Sequence, residues 1–169
     1  TVTREADGRY TVSLMCEEQE PEEAPKTGKA VGVDLGIRTL AVTSDGTQYD
    51  NPKTYANNRK RLARSQRQLS RKKKGSGNWE KQRRKVARLH RKIRNQRLDA
   101  CHKMTHELVQ KYDVICIEDL DLVQMEKSRF AKEVSDAALG EIRRQLTYKC
   151  QWAGKRLVTV DRWYPSSQT

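Results

Sequence analysis

Apolar and polar positions repeat with two different periods along this chain, and each change of period marks an element. Tyr10-Thr-Val-Ser-Leu-Met-Cys16 alternates, with Tyr10, Val12, Leu14 and Cys16 on one face. Asp7-Gly8 before it is a hairpin signal. Glu17 to Thr27 is acidic, carries Pro21 and Pro25, and reads as a linker. Ala30-Val-Gly-Val-Asp-Leu35 then reads as a buried strand, with a tight turn at Gly36. Thr39 to Ser44 and Thr47 to Tyr49 read as two more strands around Asp45-Gly46. Turns this short predict an antiparallel meander.

From Pro52 the period becomes helical. Tyr55, Leu62 and Leu69 recur at heptad spacing, which predicts a helix from about Tyr55 to Lys73. Gly75-Ser-Gly77 breaks the pattern. Val86, Leu89, Ile93, Ala100, Met104 and Leu108 then form one stripe of a second helix, from about Trp79 to Tyr112. The two predict an antiparallel helical hairpin with a thin apolar seam. A strand follows at Val114 to Ile117 and ends in Glu118. Ser135 or Asp136 caps a last helix, ended by Gly154, with Leu139, Ile142, Leu146 and Cys150 as its buried face. Leu157 to Val160 closes the order as a strand, and no internal repeat is visible. A right-handed crossover places the strand ending in Glu118 beside the strand carrying Asp34, in parallel. The expected fold is α/β and ribonuclease-H-like (RuvC-like). It has a mixed five-stranded sheet and an inserted basic hairpin at about 53–112. Residues 1–27 are expected to end a separate β-rich unit with its linker, and 28–169 to form the sheet domain.

Charge changes the picture most. The chain has 169 residues and a formal net charge of +13. Only 35% of it is hydrophobic and 34% charged, against roughly 45–50% and 25% in average domains. The core is therefore modest, and a polyanion is the natural partner. From Arg59 to Lys103 the only acids are Glu80 and Asp99. Like charges one turn apart destabilise a bare helix, and a phosphate backbone relieves that cost. Arg71, Lys72, Lys73 and Lys74 at the hairpin tip, with Arg84, Arg88 and Arg91 on the second helix, are the candidate nucleic-acid contacts. No apolar run reaches the roughly 18 residues of a membrane span, and a cytoplasmic protein is expected. The chain does not begin with Met, so a piece of a longer protein is expected. Cys16, Cys101, Cys116 and Cys150 are scattered and are expected to be buried free thiols.

Asp34 is the candidate centre. A carboxylate in an apolar strand is costly without a partner, and Gly32 and Gly36 beside it allow close approach. Glu118 is the expected partner: two acids at one sheet edge are a common way to hold a divalent cation. Asp119 and Asp121 are expected to cap or solvate the following loop. His102 and His106 have metal-ligand spacing but no third ligand, and read as surface residues. Trp79, Trp152 and Trp163 have faces that stack on bases, but packing at helix ends and sheet edges is the default expectation.

Gly32-Val-Asp-Leu-Gly-Ile37, the basic hairpin, Ile117-Glu-Asp-Leu120 and Tyr164-Pro-Ser-Ser-Gln168, in this order and spacing, resemble the transposon-encoded TnpB family. These are RNA-guided nucleases of insertion sequences, related to type V CRISPR effectors. The resemblance implies that Asp34 and Glu118 match the first two acids of a RuvC nuclease site. It further implies two Mg²⁺ ions roughly 3.5–4 Å apart, with Asp34 bridging both and Glu118 holding one. Guide RNA from the transposon end and target DNA in a prokaryotic cell are the implied partners. Thr1 to Cys16 resembles the end of the family's wedge domain. A zinc ribbon and the third catalytic Asp follow Pro-Ser-Ser-Gln in the family, so Zn²⁺ is expected only beyond this sequence, and the fragment alone is expected to bind metal poorly and to be inactive.

Three other functions fit parts of the sequence. A catalytically inactive, guide-RNA-dependent DNA-binding protein would show loss of an acid, but both visible acids are present. An actin-superfold ATPase needs a second Gly-rich phosphate loop, which the chain lacks. A basic nucleic-acid-binding protein of architectural type has no use for Asp34.

Overall fold

The computed structural model describes residues 1–17, 23–120 and 131–161. It divides into two compact units, Thr1–Gln19 with Thr54–Gln96, and Glu20–Lys53 with Arg97–Thr169. No helix among the described residues is long and apolar enough to cross a membrane.

In the first unit, β1 (Val2–Arg4) and β2 (Tyr10–Val12) form the hairpin that Asp7-Gly8 predicts. Gly8 takes a positive φ of 91° at its turn, which a side chain would strain. The expected apolar face of this strand is not covered: Val2, Tyr10, Val12 and Leu14 are all exposed. Two strands alone offer their apolar face nothing to pack on. Helix α1 (Thr54–Ser70) and, as far as Gln96, helix α2 (Gly77–Lys111), whose remainder belongs to the second unit, follow the helical period. Leu62, Val86 and Ile93 form their buried seam, flanked by Tyr55, Leu69 and Leu89. Gln82 donates from its amide to the Ser65 carbonyl (3.0 Å) and hydroxyl (2.9 Å), which pins the two helices at a buried polar point.

The second unit is built on a five-stranded sheet of order β5-β4-β3-β6-β7. Its strands are β3 (Ala30–Leu35), β4 (Thr39–Thr43), β5 (Gln48–Asp50), β6 (Val114–Glu118) and β7 (Arg156–Val160). The first three form the predicted antiparallel meander, and β6 lies parallel beside β3. A Cβ at Gly36 would sit 2.9 Å from the Thr39 carbonyl, so only glycine fits the β3–β4 turn. Val31, Val33, Leu35, Ile115 and Ile117 point to one face. They form a single core with Cys101, Met104 and Leu108 of α2, and with Leu139, Ile142, Leu146 and Cys150.

The last helical region differs from its expectation. Instead of one helix from Ser135, α3 (Ala131–Ala137) and α4 (Leu139–Trp152) meet at Ala138, which is left-handed at φ 55°. The break lets Val134 and Ala137 of α3 be buried along with α4's apolar face; one straight helix presents one stripe. Burial pushes the thiols of Cys101 and Cys150 up to about 11, while Cys116 is half-buried and Cys16, against expectation, is exposed.

The expected linker is tied down from Ala24 onward. Asp113 accepts from the Thr27 and Gly28 amides at 2.9 and 2.6 Å. The Lys155 ammonium, whose side chain is 1% exposed, reaches both Asp113 and the Pro25 carbonyl. The Lys155 hydrogen bond, with those amides, holds the Asp113 carboxyl well below the usual carboxylate range. A lowered folded-state pKa gives stability that is present above the unfolded pKa and lost as pH falls toward the folded one. Asp113→Ala should therefore lower Tm at neutral pH, and the gap to wild type should close below about pH 4. Thermal melts across pH 2 to 7 check this. A constant gap would place the effect elsewhere.

Candidate active site and nucleic-acid interface

The sheet register brings the two candidate acids together. The parallel pairs run from Ala30↔Val114 to Val33↔Ile117. The next residue on each strand is Asp34 and Glu118, on neighbouring strands about 4.8 Å apart. Alternation sends Val31, Val33 and Leu35 into the core and Asp34 to the opposite face. The same parity exposes Glu118 beside buried Ile117. The expectation that Asp34 is buried is thus corrected: it is exposed, because the described helices cover one face of the sheet.

Asp34 and Glu118 line one open cleft of about 470 Å³ with Gly32, Ser44, Cys116 and Asp161. Neither carboxylate has a hydrogen-bond or ion-pair partner in its side chain among the described residues. Asp119, one residue on, is engaged elsewhere: its carboxylate takes the Arg143 guanidinium at 2.6 Å. Asp121 lies outside the described residues, as do Trp163 and Tyr164-Pro-Ser-Ser-Gln168. The wall of the cleft is set by hydrogen bonds. Ser44 Oγ accepts from the Gly32 amide at 3.1 Å. At the β4–β5 turn, Asp45 accepts from the Thr43 hydroxyl (2.5 Å), the Thr47 amide (3.1 Å) and the Tyr112 hydroxyl. These bonds, Thr43's first, hold the Asp45 carboxyl well below its usual range.

Two adjacent carboxylates with no cation of their own are oxygen donors suited to a hard divalent ion. No group of three or more His, Cys, Asp or Glu side chains placed to hold a metal occurs among the described residues. The described chain thus offers a pair, not a closed ligand set. His102 and His106 are exposed, in line with the surface reading.

The basic region gathers at a second place. A cleft of about 540 Å³ between α1 and α2 is lined by Arg61, Arg64, Lys85, Arg88 and Lys92, with the Gln82 amide below and no acid among its lining residues. None of the five cations has an acidic partner among the described residues. Of the candidate contacts, Arg88 lies in this cleft, and Arg71, Lys73, Lys74 and Arg84 are exposed, with Lys72 half-buried. Arg91 does not face it freely: its guanidinium pairs with buried Asp7. Arg61, Arg64, Lys85 and Lys92 were not singled out in the sequence. Their signal was there in the spacing, because 61, 64 and 68 on one helix and 82, 85, 89 and 92 on the other are single helical faces.

With this geometry in place, similarities to known proteins become informative. The OrfB_IS605 family model, described as "Probable transposase", matches residues 13–129. The Cas12f1-like TNB domain model matches residues 140–169. A Streptomyces pristinaespiralis protein named "Putative RNA-guided DNA endonuclease" is 47% identical over 99% of this chain and 42% of its own length. Escherichia coli (strain K12) "Putative RNA-guided DNA endonuclease InsQ" is 36% identical over 95% of this chain and 44% of its own length. The chain thus spans less than half of these relatives. The cryo-EM structure of the Cas12f1-sgRNA-target DNA complex has the same fold, with a TM-score of 0.53 at 14% identity over 83% of this chain and 37% of that one.

Proposed function

The chain belongs to the OrfB_IS605 transposase family, which is the TnpB family, and from this premise we propose that it forms part of an RNA-guided DNA endonuclease. The single observation that carries the reading is the parallel register that sets Asp34 beside Glu118 on the open face of the sheet. It fits a RuvC-type site on a ribonuclease-H-like sheet. Asp34 and Glu118 are the residues that would hold Mg²⁺, Asp34 from the middle of the sheet and Glu118 from the end of its neighbour. Such ions, when bound, activate water and stabilise the leaving oxygen of a phosphodiester. The protein's own part is to present both carboxylates with no competing cation among the described residues. Arg143 takes Asp119 out of the contest, and the Asp45 hydrogen bonds fix the turn beside the cleft. With no group of three His, Cys, Asp or Glu side chains placed to hold a metal among the described residues, the described chain alone would hold metal weakly.

The cation-lined cleft between α1 and α2 is the proposed seat for the phosphate backbone of guide RNA or target DNA. Five cations facing one cleft, with no acidic partner among the described residues, gain most from a polyanion and release its counterions on binding. The test of the function is cleavage of a guide-matched DNA by the intact protein with Mg²⁺, with and without guide. Cutting that ignores the guide, or needs no divalent ion, would reject the reading.

A further inference from the structure

Helix α4 carries a ladder of three side chains one turn apart on its outer face. The Arg144 guanidinium lies 5.5 Å from the centre of the Tyr148 ring. Tyr148 meets Trp152 edge to face, with ring centroids 4.8 Å apart and planes at 63°. Arg144 is itself anchored by Glu141 at 2.7 Å, whose carboxyl this bond, first among its causes, pulls down to about 2. The ladder ends in an indole that is 60% exposed. Trp152 thus packs on Tyr148 at the helix end, in line with its default expectation, and still leaves most of its indole open.

A helix-end tryptophan normally hides its face. This one instead walls a cleft of about 350 Å³ between α2 and α4. His106, Val109 and Gln110 of α2 line it too, with Lys149 of α4. The Lys149 ammonium donates to the His102 carbonyl at 2.9 Å and the Thr105 hydroxyl at 2.7 Å, beside the cleft. No acid is among the lining residues. The nearby acid Glu107 is paired with Lys111 at 2.5 Å.

An aromatic face, an imidazole, an amide and a cation around one slot suit a flat, polar-edged ring attached to a phosphate chain. We propose that this cleft takes one unpaired nucleobase of a single-stranded nucleic acid, stacked on Trp152 with its edge toward His106 and Gln110. The inference goes beyond the endonuclease reading. It needs neither the carboxylate pair nor the α1–α2 cleft. It draws on the general nucleic-acid partnership of a chain with a net charge of +13.

The test measures binding of labelled decamers to the intact protein by fluorescence anisotropy. The probes are an adenine RNA decamer, an adenine DNA decamer and an abasic decamer of equal charge. Wild type should bind the better adenine decamer about tenfold more tightly than the abasic one. Whether RNA or DNA is preferred tells a guide from a displaced strand. Trp152→Phe keeps a stacking face and should keep most of that preference. Trp152→Leu keeps apolar bulk without the ring, and should lower adenine binding to the abasic level while leaving abasic binding unchanged. Equal wild-type affinity for adenine and abasic decamers overturns the proposal, and so does a Leu variant that still prefers adenine. A Leu variant weakened equally toward all three probes also overturns it, as a structural effect. The abasic probe reports the phosphate contacts alone, so failure of that separate reading shows there and not in the base preference.

Discussion

In the intact protein, Asp34→Asn or Glu118→Gln should slow cleavage of target DNA by at least about a hundredfold and leave guide binding within a factor of two. The substitutions preserve shape and remove one charge. Both side chains are exposed on the open face and neither is hydrogen-bonded within the described residues. Stability should therefore hardly change. Catalysis should change greatly, because in the proposed site these carboxylates would hold the metal ions that stabilise charge developing in the transition state. Raising the pH should not rescue either variant, since neither change removes a general base. Asp119→Ala is the control. Its carboxylate is bound to Arg143, so the loss should be small. Single-turnover cleavage with Mg²⁺ measures all three together. If Asp119→Ala is dead while Glu118→Gln cuts normally, the roles of the two neighbours are reversed.

Replacing Arg61, Arg64 and Arg88 together with Ala should weaken guide RNA or duplex binding by roughly a hundredfold at physiological salt. The size follows from counterion release. Each lost phosphate contact removes about 0.9 from the slope of log affinity against log salt, so three remove about 2.7 for duplex. Carried from about 1 M to 0.15 M salt, that slope amounts to about two powers of ten. All three side chains are exposed and line the α1–α2 cleft. The melting temperature should stay near wild type. Arg91→Ala gives the opposite pattern. Its partner Asp7 has a side chain only 3% exposed, so removing the guanidinium strands a buried carboxylate at a cost of about 3–5 kcal/mol. The salt slope should then stay as it was. A salt titration of each variant separates the two effects, and an unchanged slope in the triple variant would move the phosphate seat away from this cleft.

Much of this architecture was legible in the order of residues. The alternation of Val31, Val33 and Leu35, the Asp45-Gly46 turn and the heptad of Tyr55, Leu62 and Leu69 each carry their own local period. Local geometry enforces that period wherever the chain goes. The break at Ala138 was not legible. Nothing in Ala137-Ala138-Leu139 disfavours helix, and the left-handed residue is selected by what α3 and α4 bury on either side of it. The exposed apolar face of Val2, Tyr10 and Val12 was hidden for a related reason. Alternation tells which side chains share a face, not whether anything covers it.

The sequence by itself determined the family, the strand and helix pattern, the one-sided charge of the hairpin, and the two acids that chemistry would single out. Those follow from residue type and short-range spacing. Tertiary structure alone decided that Asp34 faces outward beside Glu118, that Asp119 is taken by Arg143, and that Arg91 is taken by Asp7. It also decided that Arg61, Arg64 and Arg88 converge with Lys85 and Lys92 on one cleft. The physical reason is common to the first three. Which carboxylate or guanidinium remains available depends on partners 24 to 84 positions away, and those pairings are set by sheet register and helix packing, which no local period encodes.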